Sequence, residues 1–249
     1  MLLEFVQGGE LFAVVHTTKT DGIPDAQAKF YAAGIILALG YLHKKDVAYR
    51  DLKPENCLID AQGYPKLIDF GFAKVLPPGV LSHTMCGTAE YLAPEQVQGQ
   101  GHTRAVDYWS FGVLVYEMLT GASPFVDPDD DDDTPTEAIF DHIVSRSVAY
   151  PDATMTPAAR ALVAGLLVRA PSGRLGTGPG GPDDIINHEW FQDIDVEQYV
   201  AKRLPPPWTP PVASATDLTH FAAEGIEDHP AEQPALEEDE NNGRWCEDF

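Results

Sequence analysis

The strongest constraint on this chain is the order Tyr49-Arg-Asp-Leu-Lys-Pro-Glu-Asn56, then Asp69-Phe-Gly71, then Ala93-Pro-Glu95. Two short strand-like pieces, Cys57 to Ile59 and Lys66 to Ile68, flank a Gln62-Gly63-Tyr64 turn and predict a hairpin. Such a hairpin folds the chain back after Asn56 and holds that amide near Asp69. A fold with that hairpin brings the amide at 56 close to the carboxylate at 69, a few residues along the chain from a further carboxylate at 51.

The surroundings are predominantly helical. Met1 to Val6 reads as the end of an apolar strand, closed by the breaker Gln7-Gly-Gly9 before a short helical pattern from Glu10 to His16. From Pro24 to His43 the apolar residues Phe30, Ile35, Ile36, Leu39 and Leu42 recur at helical spacing, with Asp25 placed to favour the helix dipole. Ala105 to Leu119 is apolar on nearly all sides and predicts a central buried helix; Glu137 to Val144 and Thr156 to Val168 predict two more. The fold class expected is mainly α with a small β-hairpin. Asp127 to Asp133, acidic throughout apart from Pro128, reads as a solvated surface loop, and beyond Pro211 a Pro- and Glu-containing stretch predicts an acidic tail draped on the fold.

Acidic residues outnumber basic ones 39 to 16, for a net charge of −23, which argues against nucleic acid or anionic membrane as a partner and favours cationic ones, or serves solubility alone. Cys57, Cys86 and Cys246 have neither metal-ligand nor disulfide spacing, and Tyr31 to Leu42 is shorter than the roughly 20 residues that cross a bilayer. These features predict a cytoplasmic protein without a membrane span.

The three opening motifs resemble those of protein kinases. The resemblance implies the large C-terminal lobe of such an enzyme, with residues 1–211 as hinge and lobe, residues 212–249 as tail, and the N-terminal β lobe missing. It further implies ATP and Mg²⁺. By this resemblance Asp51 orients the acceptor hydroxyl, Lys53 reaches the transferring phosphate, Thr88 bonds both, and Asn56 with Asp69 hold the metal. Leu3, Glu4, Val6, Glu10, Leu58 and Ile68 correspond to the nucleotide pocket. Thr84 corresponds to an activating phosphosite served by an upstream kinase, with Arg50 and Lys74 as its cations. Glu10, Glu55 and Glu117 match carboxylates that read arginines in a basic substrate. Tyr49, Phe70, Gly71, Glu95, Asp107 and Arg174 take structural roles, with Glu95 and Arg174 as a buried ion pair.

Tyr49 in place of the commoner histidine, Asp69-Phe-Gly-Phe-Ala-Lys74, Gly101-His102, Asp107-Tyr-Trp-Ser110 and the terminus Asn241-Asn-Gly-Arg-Trp-Cys-Glu-Asp-Phe249 are similar to the cGMP-dependent protein kinases of the AGC group, with the cAMP-dependent kinase as near relative. The tail aromatics Phe221, Trp245 and Phe249 would be its anchors. Cyclic-nucleotide-binding domains would lie in a longer chain. Only 48 residues precede Tyr49, without a Gly-rich phosphate loop or lysine strand, so the resemblance implies a chain begun at an internal methionine. The function expected is a serine/threonine kinase for Arg/Lys-rich sequences. The alternatives are an inactive lobe that binds substrates or kinases as a scaffold, and an aggregation-prone product with an exposed apolar floor around Leu58 and Phe70.

Overall fold

The computed structural model describes residues 4–16, 22–126, 135–214 and 216–221. Leu3, the acidic loop 127–133 and the aromatic anchors Trp245 and Phe249 lie outside these residues, as does Cys246.

The helices are α1 (Leu11–His16), α2 (Asp25–His43), α3 (Pro94–Val97), α4 (Ala105–Thr120), α5 (Thr136–Ser145), α6 (Pro157–Leu166), α7 (Pro182–Ile186) and α8 (Val196–Val200). The strands are β1 (Val47–Ala48), β2 (Cys57–Ile59), β3 (Pro65–Leu67) and β4 (Lys74–Val75). Every residue of α4 from Ala105 to Leu119 is buried, so the all-round apolarity of this helix is the signature of a central pillar. α2 and α6 pack against it. Gly112 allows the approach of α6, because a Cβ there would lie 2.8 Å from Leu166 Cβ. The helix stops at Gly121, whose left-handed φ of 74° an unbranched backbone adopts without strain. α6 begins on a cap, with the Ala159 N–H donating to Thr156 Oγ1 at 3.2 Å.

β2 and β3 form the hairpin, in register Cys57↔Leu67, Leu58↔Lys66 and Ile59↔Pro65. Its second strand thus starts and ends one residue earlier than the sequence suggests. Ile68 has left the ladder, although its N–H still donates to the Asn56 carbonyl at 3.0 Å. Residues 4–6 are not a strand, contrary to the reading of Met1 to Val6; the pairing in that region is made by 8–10, with Gly8 N donating to Ile59 O at 2.9 Å and an isolated bridge between Glu10 and Leu58. A second antiparallel ribbon, β1 with β4, escaped the sequence reading, since two residues are too few to display alternation.

Residues 205–214 and 216–221 return toward the start of the described chain. Trp208 meets His220 with rings 5.7 Å apart, and Phe221 meets Phe5 at 5.8 Å.

Candidate active site

The site is built on two strained backbone positions. Arg50 and Asp69 both take positive φ, 68° and 53°, where a residue with a side chain costs of order 1–3 kcal/mol and persists only if its surroundings hold it. For Arg50 the holder is Asp107, at the first turn of α4. Its two carboxylate oxygens accept the N–H groups of Tyr49 and Arg50, each at 2.8 Å. Asp107 is itself fully buried, and His43 Nε2 lies 2.7 Å from its Oδ2 while His43 Nδ1 lies 2.9 Å from the Tyr108 hydroxyl. Gly87, at φ 109°, lets the following segment pass close to the loop; a Cβ there would stand 2.7 Å from the Arg50 carbonyl oxygen.

Asp51 is the centre of a network. Lys53 Nζ donates to Thr88 Oγ1 at 2.9 Å, and the Thr88 hydroxyl donates to Asp51 Oδ1 at 3.3 Å. On the other side the Asn56 amide donates to Asp51 Oδ2 and to the Asp51 carbonyl, both at 2.8 Å. Those two bonds use the nitrogen of Asn56 and leave its amide oxygen out of them. The Asp69 side chain is exposed, with Oδ1 accepting the Gly71 N–H at 2.9 Å. An amide oxygen and an exposed carboxylate, tied together by the Ile68-to-Asn56 backbone bond, are the hard oxygen donors that Mg²⁺ prefers. They are too few to form a cage, and among the described residues no cluster of three or more His, Cys, Asp or Glu could hold an ion alone. That fits an ion completed by phosphate oxygens and water.

The Tyr49 hydroxyl donates to the Ile68 carbonyl, and its ring meets the edge of Phe70 at 5.4 Å. Burial pushes the Tyr49 phenol well above its ordinary range, with Cys57, Asp51 and Asp69 adding to the rise, so it stays a donor. Phe70 itself is half-exposed. Val6 is buried and Leu58 and Ile68 are half-buried; Glu4 is exposed and pairs with Lys66 at 2.6 Å.

The residues singled out as substrate readers divide. Glu55 and Glu117 share a cleft of about 300 Å³, joined there by Glu90, which the sequence reading missed. Burial first, and then the neighbouring Glu117 and Glu55 charges, push the Glu90 carboxyl up. Glu10 lines a separate cavity of about 460 Å³ with Trp208 and His220. Both cations assigned to Thr84 rest instead on Ser82, which is buried: Arg50 Nη1 donates to its hydroxyl at 3.1 Å and Lys74 Nζ at 3.3 Å. Thr84 is exposed. Ser82 lies two residues from Thr84, and its backbone pairing with His102 was the undetected feature that fixes it there.

Comparison with known proteins gives these positions a frame. The family model described as "Protein kinase domain" matches residues 1–191. The chain is 42% identical over 212 residues to the cAMP-dependent protein kinase type 3 of Saccharomyces cerevisiae, covering 85% of this chain and 50% of that protein. It is 42% identical over 235 residues to the cAMP-dependent protein kinase catalytic subunit of Dictyostelium discoideum, covering 94% and 35%. Over 221 residues it is 40% identical to the human RAC-beta serine/threonine-protein kinase, covering 88% and 44%. The chain thus spans half or less of the length of these relatives.

Proposed function

The chain belongs to the protein kinase family, with its relatives in the AGC group, and from that premise we propose that it serves to transfer the terminal phosphate of ATP to serine or threonine hydroxyls in arginine- and lysine-rich protein segments. The observation that carries this reading is that Thr88 and Asn56 each donate to one oxygen of Asp51, while Lys53 is tied to the same network through the Thr88 hydroxyl.

Phosphoryl transfer asks a protein for alignment and charge compensation more than for covalent chemistry. Asp51 is held from both sides, so its carboxylate can orient an incoming hydroxyl and take its proton late in the transfer. Among the described residues Lys53 has the Thr88 hydroxyl alone to leave before its ammonium can follow the moving phosphate. Asn56 and Asp69 would hold the Mg²⁺, which when bound offsets charge on the phosphate oxygens. Adenine would lie on Leu58 and Ile68, next to Val6 and the hinge residue Glu4, with Leu3 and Glu10 as its flanking neighbours. Glu55, Glu90 and Glu117 suit guanidinium groups, because charge-assisted bonds to arginine are strong and directional.

A phosphate on Thr84, added by an upstream kinase, would draw Arg50 and Lys74 off Ser82 and brace the catalytic loop through Arg50. We place the domain boundary near residue 211, with an AGC-type tail after it. Control by cyclic nucleotides, of the cGMP-dependent kind suggested by residues 69–74 and the terminus, would need binding domains outside this chain. Free Cys57 and Cys86 suit the reducing cytoplasm; among the described residues no helix is long and apolar enough to cross a membrane.

The test is transfer of labelled phosphate from ATP to an arginine-rich peptide, compared with the same peptide in which the arginines are alanine. Transfer that depends on the arginines supports the reading. Binding of the peptide without transfer would overturn it in favour of a scaffold.

A further inference from the structure

The cleft that holds Glu55, Glu90 and Glu117 already contains a side chain able to carry positive charge. His16, the last residue of α1, places Nε2 2.9 Å from Glu117 Oε1, while the Tyr91 hydroxyl donates to the other oxygen. Both acceptor atoms of Glu117 are therefore engaged before any substrate arrives. The two holders differ in strength of attachment. Tyr91 is buried, whereas the His16 side chain is 30% exposed, its ring resting on Phe12 at 4.4 Å. Among the described residues lining the cleft, His16 is the one that can carry positive charge.

We propose that His16 is an internal competitor for the substrate's arginine, occupying Glu117 until a guanidinium displaces it, so that binding of a basic segment expels a proton from the enzyme. The inference rests on the reading of this cleft as an arginine subsite. Oε2 of Glu55, buried and without a partner among the described residues, independently marks the cleft as one that lacks a donor. Among the described residues lining the cleft no other cation offsets the three carboxylates, so an imidazolium is held while it touches Glu117 and loses that support once pushed aside.

The groups facing His16 are known. Glu117 lies on α4, Glu55 on the catalytic loop, and Glu90 and Tyr91 on the short turn after Thr88. The hydrogen bond to Glu117 is the largest influence and raises the His16 pKa above 6.5; burial opposes it, and the Glu117 and Glu55 charges add to it. A guanidinium keeps its charge throughout, so affinity must fall as pH drops and the imidazolium defends its place. One linked proton limits the change to about tenfold per pH unit.

The experiment is isothermal titration of the whole chain with an arginine-rich peptide whose acceptor serine is alanine, at pH 6 and 7, in two buffers of different ionisation enthalpy. The wild type should release up to one proton per peptide and bind several-fold tighter at pH 7. His16→Gln, which keeps a hydrogen bond but no charge, should release no proton and bind equally at both values. Equal proton release by wild type and His16→Gln would overturn the proposal while leaving the subsite standing. Failure of the subsite itself would show differently, as peptide affinity unaltered by Glu117→Gln or absent altogether, and would overturn both.

Discussion

Arg174 grips Glu95 through two parallel hydrogen bonds, Nη1 to Oε1 at 2.8 Å and Nη2 to Oε2 at 2.9 Å, with 0% and 3% of the two side chains exposed. The same guanidinium donates to the carbonyls of Val168, Ala105 and Arg169 and stacks 5.3 Å from the ring centre of Trp109. It pins the segment that follows the active site to the central helix. Glu95→Ala leaves that cation buried and unpaired, so it should destabilise the protein by about 3–5 kcal/mol. A shift in the urea midpoint at constant slope measures it; a loss under about 1 kcal/mol would show that the pair is dispensable.

Asp107 is the support for a strained loop. Asp107→Asn replaces one of the two acceptors with a donor facing a backbone N–H, which orphans a buried group at a cost of about 1–3 kcal/mol. Because the N–H groups belong to Tyr49 and Arg50, next to Asp51, the predicted effect falls on turnover more than on peptide affinity. Comparison of kcat with peptide Kd decides: an unchanged kcat contradicts the supporting role.

The Ser82 arrangement makes a prediction about Thr84. If a phosphate at Thr84 acts through Arg50, then Thr84→Ala and Arg50→Ala should each lower transfer by the activated protein, and the double variant should be no slower than the slower single one. Additive losses would mean that the two act separately.

His102 predicts a pH response of stability. Its side chain is 2% exposed and its Nε2 has no partner among the described residues. Burial holds its pKa below 6.5, helped by the Arg50 and Lys74 charges and opposed by Glu95 and Asp107. The unfolded chain therefore takes up a proton more readily, and stability is lost as pH falls through and below about 6.5. His16 works in the opposite sense, since its raised pKa favours the folded state at low pH. Urea unfolding at pH 7.5 and 5.5 should show a smaller drop for His102→Gln than for the wild type; equal drops would remove His102 as a source.

What could be read in advance follows from range of interaction. α2 and α6 were legible from apolar periodicity and α4 from all-round apolarity, signals that run through ten or more residues and need no knowledge of the partner. The β1–β4 ribbon, α7 and α8 were not, being two- and five-residue elements held by contacts distant in sequence. The spacing between Asn56 and Asp69 announced a shared place, because a hairpin closes over a short loop. His16 and Glu117 stand 101 residues apart, and no local pattern could have joined them. Ser82 was passed over for the same reason: its importance comes from its pairing with His102, which only the folded chain displays.

The central claim is that Asp51 directs phosphate to a hydroxyl, and steady-state transfer from Mg²⁺-ATP to an arginine-rich peptide by Asp51→Asn tests it most directly. Asparagine keeps the shape and the Asn56 and Thr88 neighbours but cannot take a proton. The account predicts a kcat lower by about 10²- to 10⁴-fold with peptide affinity nearly unchanged. A variant that transfers phosphate at the wild-type rate would contradict it.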